Sequence, residues 1–115
     1  MSIAFHGIEN TVVTFRTEQV TAGYPAAVSA NGAVADAADG AAPAGIALNQ
    51  RGSFAAVQIR GFAQTTYSGT APSLGWNSLV ADGGGGLRVA GSGETGKSCL
   101  VVEVNTAENK LGVFL

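Results

Sequence analysis

The residues with the clearest chemical pattern run from 91 to 98 and match the phosphate-binding loop pattern G-x-x-x-x-G-K-[ST] in full. In a nucleotide-binding protein, backbone N–H groups of this loop surround the phosphates, the lysine reaches the outer phosphates, and the serine binds Mg²⁺. By that pattern the candidate cofactor-binding residues are Gly91, Gly96, Lys97 and Ser98.

The segments around this loop do not suit a nucleotide site. A phosphate-binding loop leads from a strand into a helix, because the helix N-terminus supplies part of the anion site. Residues 87–90 can form the strand, but residues 99–104 alternate with period two and are rich in β-branched side chains, which predicts a second strand. No later apolar strand carries an aspartate for the magnesium ion. We interpret residues 91–98 as a fortuitous match in a glycine-rich turn between two antiparallel strands, and we expect no cofactor.

Other residue types offer little catalytic chemistry. His6 is the only histidine, so a metal centre needs other ligand types, and we expect no metal. Asp36 and Asp39 lie close together, but in an Ala/Gly-rich segment that has no apolar wall to raise a pKa. The single cysteine, Cys99, excludes an internal disulfide and is expected to be buried in a strand. No catalytic residue is predicted, and we expect the chain not to be an enzyme.

Composition narrows the function classes further. The 115 residues include 6 Lys+Arg and 8 Asp+Glu, and only 12% are charged, against about 25% in ordinary soluble domains. The length allows one small domain. Basic residues do not outnumber acidic ones, so the chain has no basic surface for nucleic acid, and we expect no nucleic-acid partner. Apolar stretches are too short for a membrane span, and no secretory signal is visible, so we expect synthesis in the cytoplasm and no membrane partner.

Short strand-like segments alternate with turn signals along the chain. They cover residues 11–16, 28–34 with an Asn31-Gly32 hairpin turn, 45–48, 54–62, 78–81, 87–90, 100–104 and 110–115. Residues 33–44 have no large apolar face and are predicted to be a loop with short extended pieces. We predict an all-β fold, a small single-domain β-barrel or β-tulip-like sandwich of short antiparallel strands with little or no helix. Residues 1–19 are expected to form an N-terminal arm and first strand, and residues 20–115 the barrel.

Apolar side chains are the better candidates for function, as contacts with another subunit. The candidates are Ile3, Phe5, Tyr67, Trp76 and Phe114. Ile3 and Phe5 lie in a short apolar N-terminal segment, of a kind that docks on a neighbour or forms an edge strand. Tyr67 and Trp76 either fill the core or anchor a contact. Phe114 is out of phase with the apolar residues beside it, which places it on a second buried face or at an interface.

The order of several segments resembles a known protein family. The segments are residues 43–48 (PAGIAL), 57–62 (VQIRGF), 67–72 (YSGTAP), 74–82 (LGWNSLVAD) and 101–106 (VVEVNT). In this order they resemble the small decoration proteins of tailed-phage capsids, also called cement or head-fibre-like proteins. The resemblance extends over roughly residues 20–115. It consists of glycine and β-strand patterns and includes no catalytic signature.

The resemblance implies a small β-barrel or β-tulip-like protein that binds the outside of the expanded phage head. It further implies a homotrimer near a local three-fold axis, the major capsid protein as partner, and a place on the outer virion surface after synthesis in the bacterial cytoplasm. No site residue is carried over, because such binding is distributed over surface contacts. Two alternatives stay open: a carbohydrate-binding β module that uses Tyr67 or Trp76 as a stacking platform, and a nucleotide-binding protein that uses residues 91–98.

Overall fold

A computed structural model describes residues 10–115, and within that range ten strands form two five-stranded sheets. Residues 10–115 contain no helix, and hence none that is long and apolar enough to cross a membrane. The predicted all-β fold class, with short strands and a barrel, is confirmed.

The first sheet is a closed barrel with the strand order β1-β3-β2-β4-β5. Its strands are β1 (Thr11–Arg16), β2 (Pro25–Ala30), β3 (Ala33–Asp36), β4 (Gly45–Arg51) and β5 (Phe54–Arg60). Strand β1 closes the barrel, because it pairs antiparallel with β5 along its whole length and parallel with β3 at Arg16 and Ala33. The boundary expected between residues 19 and 20 therefore falls between β1 and β2, which belong to the same barrel.

The second sheet has the order β6-β10-β9-β7-β8, and each neighbouring pair of strands in this order is antiparallel. Its strands are β6 (Phe62–Thr66), β7 (Gly75–Ala81), β8 (Leu87–Val89), β9 (Lys97–Asn105) and β10 (Lys110–Phe114). A parallel bridge between Tyr67 and Leu87 joins the end of β6 to β8, and the Ser68 N–H donates to the Leu87 carbonyl at 3.1 Å. The two edges of this sheet therefore meet, and the sheet curls around its own interior.

Each sheet encloses a separate hydrophobic core. The barrel core contains Val20, Ala26, Val34, Ala47, Ala55 and Val57. The core of the second sheet contains Tyr67, Leu79, Leu87, Cys99, Val101, Leu111 and Val113. The barrel core is thin because alanine side chains remove little apolar area from water. Cys99 is buried in β9 as predicted, and burial raises the pKa of its thiol although the Lys97 charge opposes that shift.

The strand predicted over residues 54–62 is divided at Gly61, where the chain leaves the barrel and enters the second sheet. Gly61 has φ +106°, and a Cβ at this position would collide with Asn10. The buried side chain of Gln58 spans the corner, and its Nε2 donates to the Phe62 carbonyl at 2.9 Å. Alternation alone cannot reveal this corner, because side chains keep alternating while the partner strand changes.

Residues 37–44 make the second connection between the sheets. The Gly40 N–H donates to the Ala81 carbonyl at 2.9 Å, and the Ala81 N–H donates to the Ala41 carbonyl at 2.9 Å. The segment predicted as a loop with extended pieces thus forms β3 at its start and then hydrogen-bonds to the end of β7. These bonds hold residues 37–44, which follow β3 of the barrel, against β7 of the second sheet.

Candidate functional site

The segment that matches the phosphate-binding pattern connects β8 to β9. Both strands pair antiparallel with β7, and Leu79 of β7 lies opposite Val89 on one side and Lys97 on the other. Strands β8 and β9 are therefore parallel to each other, and residues 90–96 cross over β7 between them. The prediction of a turn between two antiparallel strands is wrong in this respect. Sequence cannot show the crossing, because it depends on which side of β7 each strand pairs.

The geometry of the pattern residues differs from a phosphate cradle. Lys97 and Ser98 are the first residues of a strand and pair with Leu79 and Ser78, so no helix N-terminus faces a ligand here. Gly96 lies against the backbone of β7, and a Cβ on it would be 2.7 Å from the Leu79 carbonyl oxygen. The glycine is therefore required by the close crossing of the loop over β7.

Glu94, inside the pattern, folds the loop on itself. Its carboxylate accepts two hydrogen bonds from Arg88, at 2.7 and 2.6 Å, and one from the Gly91 N–H at 2.6 Å. The bonds from Arg88 first, and then the bond from Gly91, lower the pKa of Glu94 to about 2. Arg88 also donates to Asp39 at 2.9 Å, and the two carboxylates raise the pKa of the guanidinium. Arg88 therefore binds both residues 90–96, the crossing loop over β7, and residues 37–44, the loop that follows β3.

Asp82 shapes the neighbouring loop of four glycines. Its Oδ1 accepts from the N–H groups of Gly84 at 2.7 Å and Gly86 at 3.0 Å, and its Oδ2 accepts from the Ser68 hydroxyl at 3.0 Å. Partial burial raises the pKa of Asp82, but these hydrogen bonds to the charged form outweigh it and the net pKa is lowered. Both perturbed carboxylates thus cap loops, and residues 10–115 contain no group of three metal-ligating side chains.

The five contact candidates fall in different environments. Ile3 and Phe5 lie outside the described residues. Tyr67 is 6% exposed and belongs to the core of the second sheet, so the side chain is not available as a contact or a stacking platform. Phe114 is half-buried, and its ring centroid is 5.5 Å from that of Phe62. Trp76 is 72% exposed on β7. Of the described candidates, Trp76 offers the largest accessible apolar surface.

Trp76 belongs to a row of apolar side chains that crosses four strands. Trp76 pairs with Leu100, Leu100 pairs with Phe114, and Phe114 pairs with Phe62. Paired residues share a face of a sheet, and this face points away from the core formed by Cys99 and its neighbours. We call Trp76, Leu100, Phe114 and Phe62 the apolar row. Exposure falls along the row from 72% at Trp76 to 4% at Phe62, and Leu74, near the Trp76 end, is 69% exposed.

An open concavity of about 810 Å³ lies beside the apolar row. Gly112 is one of its lining residues and pairs with Gln64 on one side and Glu103 on the other. The register shifts between Gly112 and Val113, so Val102 and Glu103 together face a single residue of β10. Leu74 forms part of the wall. The outer face therefore combines a protruding aromatic side chain with an adjacent hollow.

The sequence interpretation did not include Leu74 and Leu100 among the contact residues. A signal exists for Leu100, because Leu100 and Val102 alternate with the buried Cys99 and Val101, so that both faces of β9 are apolar. Such two-sided apolar strands are covered on both faces in other proteins. What the sequence lacks is the register that aligns Leu100 with Trp76 and Phe114.

Comparison with known proteins adds no family to this description. No protein-family model matches the chain, and no curated protein sequence matches it significantly.

Proposed function

We propose that the chain is a virion structural protein that binds the outside of the expanded head of a tailed phage and holds neighbouring major capsid subunits together. The observation that carries the proposal is the apolar row with its exposed Trp76 end. Trp76 and Leu74 are 72% and 69% exposed and lie two residues apart in the chain. Exposed apolar patches mark interaction sites, and tryptophan is enriched among the residues that contribute most to binding at protein interfaces.

The rest of the surface supports binding to a large, flat partner. Few side chains carry charge, so little desolvation of ions opposes contact over a wide area. The resemblance to decoration proteins supplies the identity of the partner. On the same resemblance we propose a homotrimer near a local three-fold axis. Joining three subunits would increase the avidity of individually weak contacts.

Sedimentation with phage heads tests the proposal. The purified chain is mixed with expanded heads, and separately with unexpanded precursor heads, of the phage whose genome encodes it. We expect the protein to pellet with expanded heads only. The double variant Trp76→Ser with Leu74→Ser is expected to stay in the supernatant. The matched control is Val28→Ser, which changes an exposed valine on the barrel.

Two outcomes would contradict the proposal. One is a protein that stays in the supernatant with both kinds of head. The other is binding that is equally strong in the double variant and in the control, because the apolar row would then not be the contact surface. Sedimentation velocity of the free protein tests the trimer separately, and a mass of one chain at all concentrations would remove that part of the proposal.

The same tryptophan supports a second candidate, a carbohydrate-binding module on the virion surface. Trp76 and Ser78 share the outer face of β7, and Ser78 pairs with Ser98, so two hydroxyls lie beside the exposed ring. An apolar ring next to polar groups is an arrangement that holds amphipathic ligands. Glycan-array binding that is lost in Trp76→Ala and retained in Trp76→Phe would favour this candidate over head binding.

A further inference from the structure

The barrel carries a second surface, made of two arginines on either side of an aromatic ring. Phe54 of β5 pairs with Arg16 of β1 on one side and with Arg51 of β4 on the other. The three side chains therefore share the outer face of the barrel. Phe54 is 53% exposed, and both arginines are exposed. We call these three residues the Arg–Phe–Arg row.

Neither arginine of this row has a carboxylate partner among residues 10–115. Arg16 donates one hydrogen bond from Nη2 to the Asn31 carbonyl at 3.2 Å, and its remaining N–H groups are left for another acceptor. The chain as a whole carries a net charge of -2. Two positive charges are thus concentrated at one end of a barrel in a protein that is otherwise slightly acidic.

We infer that the Arg–Phe–Arg row binds an acidic segment of another protein, with two carboxylates that flank an apolar side chain. Neighbouring strands are about 4.8 Å apart, so the backbones that carry Arg16 and Arg51 are separated by about 10 Å. In an extended segment, residues i and i+4 lie about 13 Å apart, and residue i+2 faces the same side. Long arginine side chains accommodate the difference. Carboxylates at i and i+4 then meet the guanidinium groups, and an apolar residue at i+2 covers Phe54.

The charge pattern favours a peptide over a nucleic acid. Nucleic-acid binding depends on many phosphate contacts, each of which releases counterions. The row supplies two cations, enough for two carboxylates but few for a nucleic acid, and the Glu18 carboxylate near Arg16 opposes either kind of anion. This surface lies on the barrel, whereas the apolar row lies on the second sheet, so the inference goes beyond head binding and holds whether or not head binding is correct.

A titration followed by NMR tests the inference. The probe is the capped peptide Glu-Thr-Leu-Thr-Glu, which carries the required spacing, added to the ¹⁵N-labelled full chain. We expect amide shifts at residue 16 and at residues 51–54. Arg16→Gln and Arg51→Gln should each weaken binding by about threefold, as for exposed ion pairs. The matched control is Arg60→Gln, which changes an exposed arginine at the opposite end of β5 from Phe54. This variant should leave the affinity unchanged.

Further ligands and a further variant test separately whether binding depends on charge, on an intact fold and on the class of ligand. The neutral peptide Gln-Thr-Leu-Thr-Gln should cause no shift at these residues, and Phe54→Ser should weaken the acidic peptide while the variant spectra stay dispersed. The inference is overturned if the neutral peptide binds as tightly as the acidic one, or if neither arginine variant weakens binding. It is also overturned if a single-stranded oligothymidylate binds these residues more tightly than the peptide does.

Discussion

The side chains of Arg88 and Glu94 form a two-point ion pair, with 2.7 Å between Nη1 and Oε1 and 2.6 Å between Nη2 and Oε2. Glu94 occupies a variable position of the phosphate-loop pattern, and its carboxylate accepts the Gly91 N–H. One backbone N–H of the loop is therefore already bonded to a carboxylate of the chain itself. Because Arg88 also binds Asp39, the same pair ties the crossing loop to the barrel.

Acid should open the loop at Glu94. The pKa of Glu94 falls from 4.5 to about 2 in the folded chain. A carboxylate with a lowered folded pKa contributes stability above its unfolded pKa and loses it as the pH falls through the folded value. We therefore expect the contribution of Glu94 to be complete above about pH 4.5 and to disappear toward pH 2. The NMR shift of the Gly91 amide should titrate with a midpoint near 2.

The control for this titration is Glu94→Gln, which should abolish the acid step at Gly91. Asp82 also has a lowered pKa, but its carboxylate accepts from Gly84 and Gly86, so Gly91 reports on Glu94. A Gly91 midpoint close to 4.5 would contradict the role assigned to the Arg88 contact.

Lys97 should not support nucleotide binding. Its place at the start of β9 removes the helix that a phosphate site requires. Calorimetry with ATP and Mg²⁺ is expected to show no binding, and Lys97→Ala should give the same result as the unchanged chain. Micromolar binding of ATP that is lost in Lys97→Ala would establish a phosphate site and contradict our interpretation of residues 91–98.

Gly96→Ala should destabilise the fold although the backbone conformation there accepts alanine. The new Cβ would lie 2.5 Å from Ser78 Oγ and 2.7 Å from the Leu79 carbonyl oxygen, so the loop or β7 must shift. We expect a loss of about 1–3 kcal/mol in the free energy of unfolding, measured in denaturant. The matched control is Gly84→Ala, whose Cβ meets its nearest contact at 3.6 Å. Equal stability of the two variants would show that the crossing is looser than described.

The two aromatic candidates of the second sheet should behave in opposite ways. Tyr67→Ala removes a buried core side chain and should cost about 3–5 kcal/mol in the free energy of unfolding. Trp76→Ala changes an exposed side chain and should alter stability by about 0.5 kcal/mol or less. Thermal unfolding followed by circular dichroism measures both. A large loss of stability in Trp76→Ala would mean that the ring supports the fold, and would weaken its assignment as a contact residue.

Much of the secondary structure was predictable because alternation and turn chemistry are local. The Asn31-Gly32 turn connects β2 to β3 as predicted, but the type I′ geometry that Asn-Gly favours does not form, because Gly32 has φ +70° while φ of Asn31 is not positive. The burial of Cys99 followed from its place in an alternating apolar segment. The division at Gly61 was not predictable, since alternating residues continue into β6 while the pairing partner changes from the barrel to the second sheet.

By itself, the sequence determined the all-β class, the low surface charge and the absence of a helix after residues 91–98, because these follow from residue types and their local spacing. Only the tertiary structure decided which aromatic side chains are accessible. As a result of the strand pairing and its register, Tyr67 is buried, Trp76 lies opposite Leu100, and Phe54 lies between two arginines. Register depends on residues far apart in the chain, and a shift of one residue reverses the face of every side chain in a strand. Both candidate binding surfaces are products of that register.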